Sequence, residues 1–334
     1  MKIIIDAFGG DNAPLSNIEG AYLASKEYDA KIMLCGNKEQ IEKCASENNI
    51  PLDNIEIVHA DDVFDIHDDP NLLLKSKKDT SLAVAFSAVK DGVADAVVSA
   101  GSSGAVLMGG TFIVKRIKGI KRPAFAAVIP TTSGNPYMLL DSGANIDCRA
   151  DVLEQFGLVG SVYMKNVMGV EKPRVGLLNI GAEETKGGDV LVEAYQKLKD
   201  SQLNFIGNVE PRDVPAGACD VLVCDGFSGN IVLKLTEGVA VSFMKMFKAI
   251  LLKNIVSKIA ALLIKGGLKD LKKKFDYKEL GGAPLIGVRK PVIKAHGSSD
   301  SRAIKSAVKQ AILFAKTGVT DQIENAIKGV ENND

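Results

Sequence analysis

The 334-residue chain has no excess of charge of either sign, because 41 lysine and arginine residues balance 41 aspartate and glutamate residues. General binding to nucleic acid needs a positive field over the protein surface, so we expect no nucleic-acid partner. The five cysteines form no C-x-x-C pair and the three histidines are scattered, so the spacing of a zinc site is absent and we expect no metal. An odd number of cysteines is typical of reduced thiols in the cytoplasm, where we expect this protein.

A long apolar run is also absent from the N-terminus. The run at residues 3–5 is followed at once by Asp6 and soon by glycines, so it is too short for a signal peptide or a membrane span. We interpret it as a first β-strand. Apolar residues make up 46% of the chain, which is sufficient for a packed core.

The dominant pattern is a short apolar run, then glycine or small polar residues, then a helical stretch. The apolar runs of its five occurrences lie at residues 3–6, 96–100, 137–141, 175–180 and 221–225. Continuous apolar strands that alternate with helices predict a doubly wound α/β fold with a mostly parallel sheet. In such a fold we expect the loops after the strands to lie along one edge of the sheet, where ligands bind. Since no linker divides the sequence, residues 1–334 are interpreted as one catalytic unit.

Residues 238–276 differ from this pattern. They are rich in bulky apolar residues, and the stretch 245–274 carries nine lysines and a single acid. Helical periodicity predicts two amphipathic helices with a break near Lys253–Asn254 and a polar turn at Gly266–Gly267, which together form a protruding hairpin. This pattern is compatible with a hairpin that packs into the core or into a dimer interface. It is also compatible with a hairpin that lies on a membrane surface, and the pattern does not decide between these two interpretations.

The motif GSSGA joins a predicted strand to a predicted helix. Gly101, Ser102, Ser103 and Gly104 place backbone N–H groups and hydroxyls where a phosphate-like anion can bind. The motif is not G-x-G-x-x-G, so a dinucleotide site is disfavoured.

Further candidates follow other predicted strands. Lys186 in GAEETKGGD is a candidate contact for a phosphate or an oxyanion, and the segment lacks the GK[ST] of a triphosphate-binding loop. Asn230 in DGFSGN is a candidate donor to an oxyanion, with helix capping as the alternative. No G-x-S-x-G nucleophile motif is present. The remaining candidates for substrate or phosphate binding are Asp6, Gly9, Gly10, Asn145, Asp225, Gly226 and His296.

The absence of a strong base or nucleophile fits phosphate as the attacking group. Phosphate is substantially dianionic at neutral pH, and a thiolate with a pKa of about 8.5 leaves without a strong acid. Transfer from a thioester to phosphate therefore needs mainly positioning and stabilisation of the tetrahedral oxyanion.

These motifs, in this order, resemble those of the PlsX family of bacterial phosphate acyltransferases. The matching segments are IIIDAFGGDNAP at 3–14, SAGSSGAVL at 99–107, RPAFAAVIP at 122–130, LLDSGANIDCRADVLEQF at 139–156, RVGLLNIGAEETKG at 174–187, FIGNVEPRD at 205–213, DVLVCDGFSGNIVLK at 220–234, and GGAPLIGV with KAHGSS at 281–299. Two positions depart from the family pattern. Ser102–Ser103 replaces an Asn-Thr pair, and Ala182 replaces an acidic residue.

The resemblance implies a fold similar to isocitrate and isopropylmalate dehydrogenases and to phosphotransacetylases, a homodimer, and no cofactor. It implies conversion of acyl-[acyl carrier protein] and inorganic phosphate to acyl phosphate and free carrier protein, early in bacterial phospholipid synthesis. It makes Lys186 and Asn230 the leading catalytic candidates and implies peripheral membrane association through residues 238–276. The acidic carrier protein has two candidate docking patches, the lysines around 265–274 and the group Arg116, Lys118, Lys121 and Arg122.

Three other functions are weighed against this one. A phosphotransacetylase-like reaction would use coenzyme A thioesters in place of the carrier protein. A non-catalytic scaffold at a lipid surface would use only the amphipathic hairpin. A nicotinamide-dependent dehydrogenase is disfavoured because its glycine fingerprint is missing.

Overall fold

The computed structural model describes residues 1–267 and 281–331 of the chain. In these residues eleven strands form one sheet. The strands are β1 Lys2–Asp6, β2 Lys31–Gly36, β3 Ile55–His59, β4 Ala96–Ser99, β5 Ala124–Ile129, β6 Tyr137–Leu140, β7 Val175–Leu178, β8 Phe205–Val209, β9 Val221–Val223, β10 Ala283–Ile286 and β11 Val292–Lys294.

Helices connect most of the strands. The α-helices are α1 Leu15–Glu27, α2 Lys38–Glu47, α3 Ser81–Lys90, α4 Ser103–Met108, α5 Ala150–Asn166, α6 Asp189–Asp200, α7 Gly226–Leu251, α8 Ile255–Leu263, α9 Ser301–Lys316 and α10 Val319–Glu331. A π-helical turn at Gly109–Lys115 continues α4, and short 3-10 helices lie at Pro70–Leu74 and Val214–Ala216.

The strand order is β3-β2-β1-β4-β11-β10-β5-β6-β9-β7-β8. The five strands from β3 to β11 pair in parallel, as do the four from β6 to β8. Between these groups β10 is antiparallel to β11 and to β5, and β5 is antiparallel to β6. Three reversals make the two parallel groups run in opposite directions. The mostly parallel sheet is confirmed, but the expectation that all loops after the strands lie along one edge is wrong.

The core lies on both faces of the sheet. Ile3 and Ile5 of β1 belong to one buried apolar cluster, together with Ile18 of α1 and Ile304 of α9. Ile4, whose side chain points to the opposite face, is buried in a second cluster with α3. Burial of consecutive strand residues needs helices on both sides, which confirms the doubly wound arrangement.

Helix α7 leaves the sheet and carries the segment that begins at residue 238. Gly229 is its last buried residue, and no residue from 238 to 267 is buried. The alternative in which this segment packs into the core of its own chain is therefore wrong for the described residues. Within residues 1–267 and 281–331, no helix has the length and apolar character needed to cross a membrane.

The predicted helix break is present. Helix α7 ends at Leu251, and Asn254 caps α8 by accepting a hydrogen bond from the Ser257 N–H at 2.8 Å. The predicted turn at Gly266–Gly267 is wrong, because α8 ends at Leu263 and residues 265–267 are helical. Neither glycine has a positive φ, and an isolated glycine costs a helix only about 1 kcal/mol. Residues 268–276 of the predicted hairpin lie outside the described residues.

Candidate active site

The candidate residues fall into two groups of loops. The first loop cluster comprises residues 7–14, 100–104 and 295–300, which follow β1, β4 and β11. The second loop cluster comprises residues 141–149, 179–188 and 224–230, which follow β6, β7 and β9. Because the two strand groups run in opposite directions, the clusters start from opposite edges of the sheet.

The loops of the first cluster interlock through their backbones. A Cβ atom on Gly9 would lie 2.7 Å from the Gly101 nitrogen, so only glycine fits this approach. Gly10 has a φ of 101°, which favours glycine, and the next N–H, that of Asp11, donates to the Gly297 carbonyl at 2.8 Å. The structure thus brings the predicted Gly9, Gly10 and Gly101 together.

Asp6 lies beneath these loops. Its buried carboxylate accepts hydrogen bonds from the hydroxyls of Ser81 and Ser99, both at 2.7 Å, and from the Phe8 N–H at 3.3 Å. Burial raises the pKa of Asp6, and these hydrogen bonds oppose the rise. The contacts hold β1, α3 and β4 in register below the loops.

The GSSG segment uses part of its hydrogen-bonding capacity internally. The Gly101 N–H donates to the Ser99 hydroxyl at 3.0 Å, and the Ser102 hydroxyl accepts from the Ala105 N–H at 3.5 Å as the cap of α4. Ser103 and Gly104 form the first turn of that helix. The N–H group of Gly101 is therefore not directed at an anion in this structure.

Two lysines that contact the first loop cluster were not among the predicted site residues. The Lys294 ammonium donates to the carbonyls of Ala100 at 3.1 Å and Ala295 at 2.6 Å, and it joins the end of β11 to the loop after β4. Burial lowers the pKa of Lys294 to about 8. Lys234 of α7 lies with its Nζ 3.2 Å from Nε2 of His296. Burial and then the Lys234 charge lower the pKa of His296, so the imidazole is neutral at neutral pH.

Asp141 organises the second cluster. Its buried carboxylate accepts hydrogen bonds from the N–H groups of Phe125, Gly143, Ala144 and Asn145 at 2.6 to 3.1 Å, and from the Asn145 side-chain amide at 2.9 Å. Burial raises the pKa of Asp141, while these N–H donors favour the ionised form. The loop after β6 is therefore fixed by one carboxylate, and the Asn145 amide is used in fixing it.

The start of α7 packs directly on this loop. The Gly226 N–H donates to the Asn145 carbonyl at 2.6 Å, and a Cβ atom on Gly229 would lie 1.9 Å from the Asp141 carbonyl oxygen. Asp225 caps the helix by accepting from the Ser228 N–H at 2.7 Å. Asn230, the fifth residue of α7, is exposed and its side chain lies near Gly143. It is thus not the capping residue of the helix.

Lys186 lies in the loop after β7. The Asn179 side-chain amide donates to its carbonyl at 2.9 Å, and its own N–H donates to the Glu183 carbonyl at 3.1 Å. The ammonium is 3.8 Å from the Glu183 carboxylate, and its side chain is 46% exposed. Because β7 and β9 are neighbours, the loops of Lys186 and Asn230 leave adjacent strand ends.

Helix α7 connects the two clusters. Asn230 lies beside the loop after β6, and Lys234, one turn later on the same face, contacts His296 of the first cluster. The sequence signal for Lys234 was its position four residues after Asn230, and the signal for Lys294 was its place in the KAHGSS motif.

In residues 1–267 and 281–331 no cluster of three histidine, cysteine, aspartate or glutamate residues is arranged to hold a metal ion.

Known proteins are similar to the chain over nearly its whole length. A family model described as "Fatty acid synthesis protein" matches residues 1–322. A phosphate acyltransferase of Alkaliphilus oremlandii (strain OhILAs) is 48% identical over 330 residues, which cover 99% of this chain and 98% of that protein. A phosphate acyltransferase of Clostridioides difficile (strain 630) is 47% identical over 327 residues, or 98% of this chain and 96% of that protein. The chain belongs to this phosphate acyltransferase family.

Solved structures agree with the fold of this phosphate acyltransferase. A phosphotransacetylase from Streptococcus pyogenes has a TM-score of 0.65 and 18% identity, and the match covers 98% of this chain and 94% of that chain. A branched-chain phosphotransacylase from Enterococcus faecalis V583 has a TM-score of 0.60 and 14% identity, with 94% and 99% covered. These likenesses confirm the predicted phosphotransacetylase-like fold. The family relationship establishes the chain as an acyltransferase that acts on phosphate.

Proposed function

We propose that the chain transfers the acyl group of acyl-[acyl carrier protein] to inorganic phosphate, as an early step of phospholipid synthesis. The observation that carries the proposal is that Lys186 and Asn230 follow the adjacent strands β7 and β9, respectively, in a chain of the phosphate acyltransferase family. A cation and an amide donor at one sheet edge suit a phosphate and a thioester carbonyl held side by side.

In the proposed reaction a phosphate oxygen attacks the thioester carbonyl carbon. The carbonyl oxygen becomes an oxyanion, which the Asn230 amide stabilises by donating a hydrogen bond, and the N-terminus of α7 adds a favourable dipole. Lys186 offsets the charge of the phosphate. The oxyanion then re-forms the carbonyl as the carbon–sulfur bond breaks, the acyl phosphate leaves, and the thiolate of the carrier takes up, through water, the proton that the hydrogen phosphate releases.

No side chain of the site has to abstract a proton in this scheme, because the nucleophile is already an anion. Asp141 and Asp225 support this, since their carboxylates are bound to backbone N–H groups and fix the loops. Asp6 is likewise bound by Ser81 and Ser99. The proposed roles of these carboxylates are therefore to position the site.

A coenzyme A thioester is the second candidate substrate. The observation that favours it is the phosphotransacetylase-like fold, which the chain shares with the protein of Streptococcus pyogenes. Both reactions form an acyl phosphate, and they differ in the carrier of the acyl group and in its length.

We also propose that the protein is a cytoplasmic homodimer that binds the membrane surface through residues 238–276. The exposed apolar side chains of α7 and α8 support this assignment, among them Phe243, Met246, Leu262 and Leu263. An apolar face of this size rarely stays in contact with water. A second copy of the chain packed against α7, and lipid in contact with α8, would cover the exposed apolar side chains of both helices.

The test of the function is product formation by the purified chain. With long-chain acyl-[acyl carrier protein] and phosphate, we expect acyl phosphate, trapped with hydroxylamine, and free carrier thiol in equal amounts. Omission of phosphate should abolish both products. Exclusive turnover of acetyl-coenzyme A would overturn the proposed substrate, and the absence of any acyl phosphate would favour a non-catalytic scaffold.

The test of the site uses two substitutions with matched controls. Asn230→Ala should lower kcat by about 100-fold, the usual effect of losing one oxyanion donor. Lys186→Ala removes the charge that offsets the phosphate and should also lower kcat. Lys197→Ala on α6 and Asn166→Ala at the end of α5 remove the same side-chain types elsewhere and should leave kcat unchanged. Retention of full activity by Lys186→Ala and Asn230→Ala would show that the site is assigned wrongly.

A further inference from the structure

A strongly basic segment lies beside the second loop cluster. Residues 115–122, between the π-helical turn and β5, carry five cations and no acid. Arg289 joins them through its backbone and its side chain. Its N–H donates to the Lys115 carbonyl at 2.9 Å, and its side-chain Nε donates to the Arg116 carbonyl at 3.2 Å. With Arg149 at the start of α5, the basic surface comprises Lys115, Arg116, Lys118, Lys121, Arg122, Arg149 and Arg289.

The basic surface is attached to the loop that builds the candidate active site. Arg122 donates to the Asp147 carbonyl at 3.0 Å, and the Pro123 carbonyl accepts a hydrogen bond from the Asn145 amide at 2.9 Å. The carbonyl of Asn145 in turn accepts from Gly226, the first residue of α7. Two short contacts therefore separate the basic surface from the first turn of α7, the helix that carries Asn230.

Few acids neutralise this surface. Asp151 pairs with Lys121 at 2.9 Å and with Arg149 at 3.1 Å, and these partners lower its pKa. The Arg149 side chain stays 78% exposed. Glu324 is hydrogen-bonded to Lys328 and also interacts with the charges of Lys118 and Arg289, and Asp147 is a further exposed acid beside Arg122. An excess of positive charge thus remains at this edge of the sheet.

An exposed apolar side chain adjoins the basic surface. Ile146 is 75% exposed, and it sits between Asn145 and the Asp147 carbonyl that binds Arg122. An apolar contact surrounded by charged residues is the usual composition of a protein-binding surface. A charged rim mainly speeds the encounter with an oppositely charged partner and sets its orientation.

We propose that this basic surface, with the adjoining Ile146, docks the small acidic protein that carries the acyl thioester. The proposal rests on the proposed function and selects one of the two patches that the sequence left open. The lysines around 265–274, and Lys245 and Lys248 on the helix before them, are less suitable, because Lys245 already lies fifteen residues beyond Asn230, or about 22 Å along α7. The basic surface instead adjoins the loop on which Asn230 is positioned.

The test compares charge reversals in the full-length protein. Lys118→Glu combined with Arg149→Glu should raise KM for acyl-[acyl carrier protein] by about tenfold, since rim charges act mainly on encounter, and should leave kcat at saturation unchanged. With acyl-phosphopantetheine, which lacks the protein, KM should not change. Ile146→Ser should raise KM for the carrier substrate alone. Lys165→Glu, at the far end of α5, is the matched control, and Lys248→Glu reports on the α7 patch.

Binding of the carrier protein without an acyl group, followed by fluorescence anisotropy, separates this proposal from the proposed function. Weaker binding by the Lys118→Glu, Arg149→Glu variant supports the docking surface even if no acyl phosphate is formed by any variant. Unchanged binding and unchanged KM in a chain that is active would overturn the docking surface and leave the function in place. Loss of binding only in Lys248→Glu would assign docking to α7, and loss only of vesicle binding would assign the surface to lipid. Either result would overturn the proposal.

Discussion

The ammonium group of Lys294 lies in buried surroundings that disfavour its charged form. Burial lowers its pKa from 10.5 to about 8, and the nearby Asp6 opposes this only in part. A lysine with a lowered pKa is cationic below that value and loses its proton as the pH rises through it. Its ammonium holds the end of β11 against the loop after β4, so the first loop cluster should lose one positive charge above pH 8.

The loop that Lys294 holds carries Gly101, Ser102, Ser103 and Gly104, which were predicted to bind phosphate, so we expect this loss of charge to raise KM for phosphate by about tenfold between neutral pH and about pH 9.5. Lys294→Arg should keep KM low over this range, because a guanidinium stays charged. Initial rates at varied phosphate concentration measure the effect, with Lys197→Arg as the control. Parallel pH curves for the native chain and Lys294→Arg would contradict it.

The residues of the site were predictable to different degrees. Lys186 and Asn230 stand in recognisable motifs after apolar runs, so they could be selected from the sequence. Lys234 had only the weaker signal of its spacing from Asn230, because its contact with His296 joins positions 62 residues apart. Two hydrogen bonds depend on local geometry that the glycine pattern does not contain. Asp225 caps α7 by accepting from the Ser228 N–H, and the Gly101 N–H donates to the Ser99 hydroxyl.

Among the elements, α7 depends on one glycine for its position. A Cβ atom on Gly229 would overlap the Asp141 carbonyl, whereas nothing lies within 4 Å of a Cβ on Gly238 of the same helix. Gly229→Ala should therefore destabilise the fold by about 1–3 kcal/mol and displace Asn230. Gly238→Ala should stabilise the helix by about 0.5–1 kcal/mol. Denaturant midpoints and kcat of both variants test this, and equal midpoints would refute it.

The lysines near α8 are expected to act in membrane binding. In the double variant Lys258→Glu, Lys265→Glu, two exposed cations become anions, so binding to vesicles of anionic lipid should weaken by about tenfold or more, at about 1 kcal/mol per charge. Turnover of soluble substrate should be largely unchanged. Lys165→Glu controls for net charge in the co-sedimentation assay. Equal vesicle binding by the double variant and the native chain would exclude an electrostatic contribution.

Periodicity and capping explain why α7 and α8 were predictable as elements. The shift of the apolar face at Lys253–Asn254 marked the break, and Asn254 caps α8 there. The glycines at 266 and 267 were misleading because glycine permits a turn without requiring one. What covers the apolar faces of these helices is not encoded in the periodicity, since a core, a second copy and a lipid surface all accept the same pattern.

At the scale of the whole molecule, the sequence predicted an α/β sheet but not the reversal of strand direction within it. The antiparallel strands β10 and β5 are short and fully apolar, so they resemble the parallel strands around them. Their direction depends on pairing between segments about 160 residues apart, such as Leu285 with Phe125. Because of this reversal the loops lie in two clusters, and α7 is the element that spans from one to the other.

The exposed apolar face of α7 leads to a prediction about assembly. Val239, Phe243, Met246 and Ile250 are each more than half exposed in a single chain, which favours a homodimer in which a second copy covers this face. Phe243→Glu with Met246→Glu places two charges in that interface and should give monomers in sedimentation velocity at micromolar concentration. Lys248→Glu changes charge on the same helix and should remain dimeric. A native chain that sediments as a monomer, or a dimeric double variant, would contradict the assignment and leave lipid as the partner of both helices.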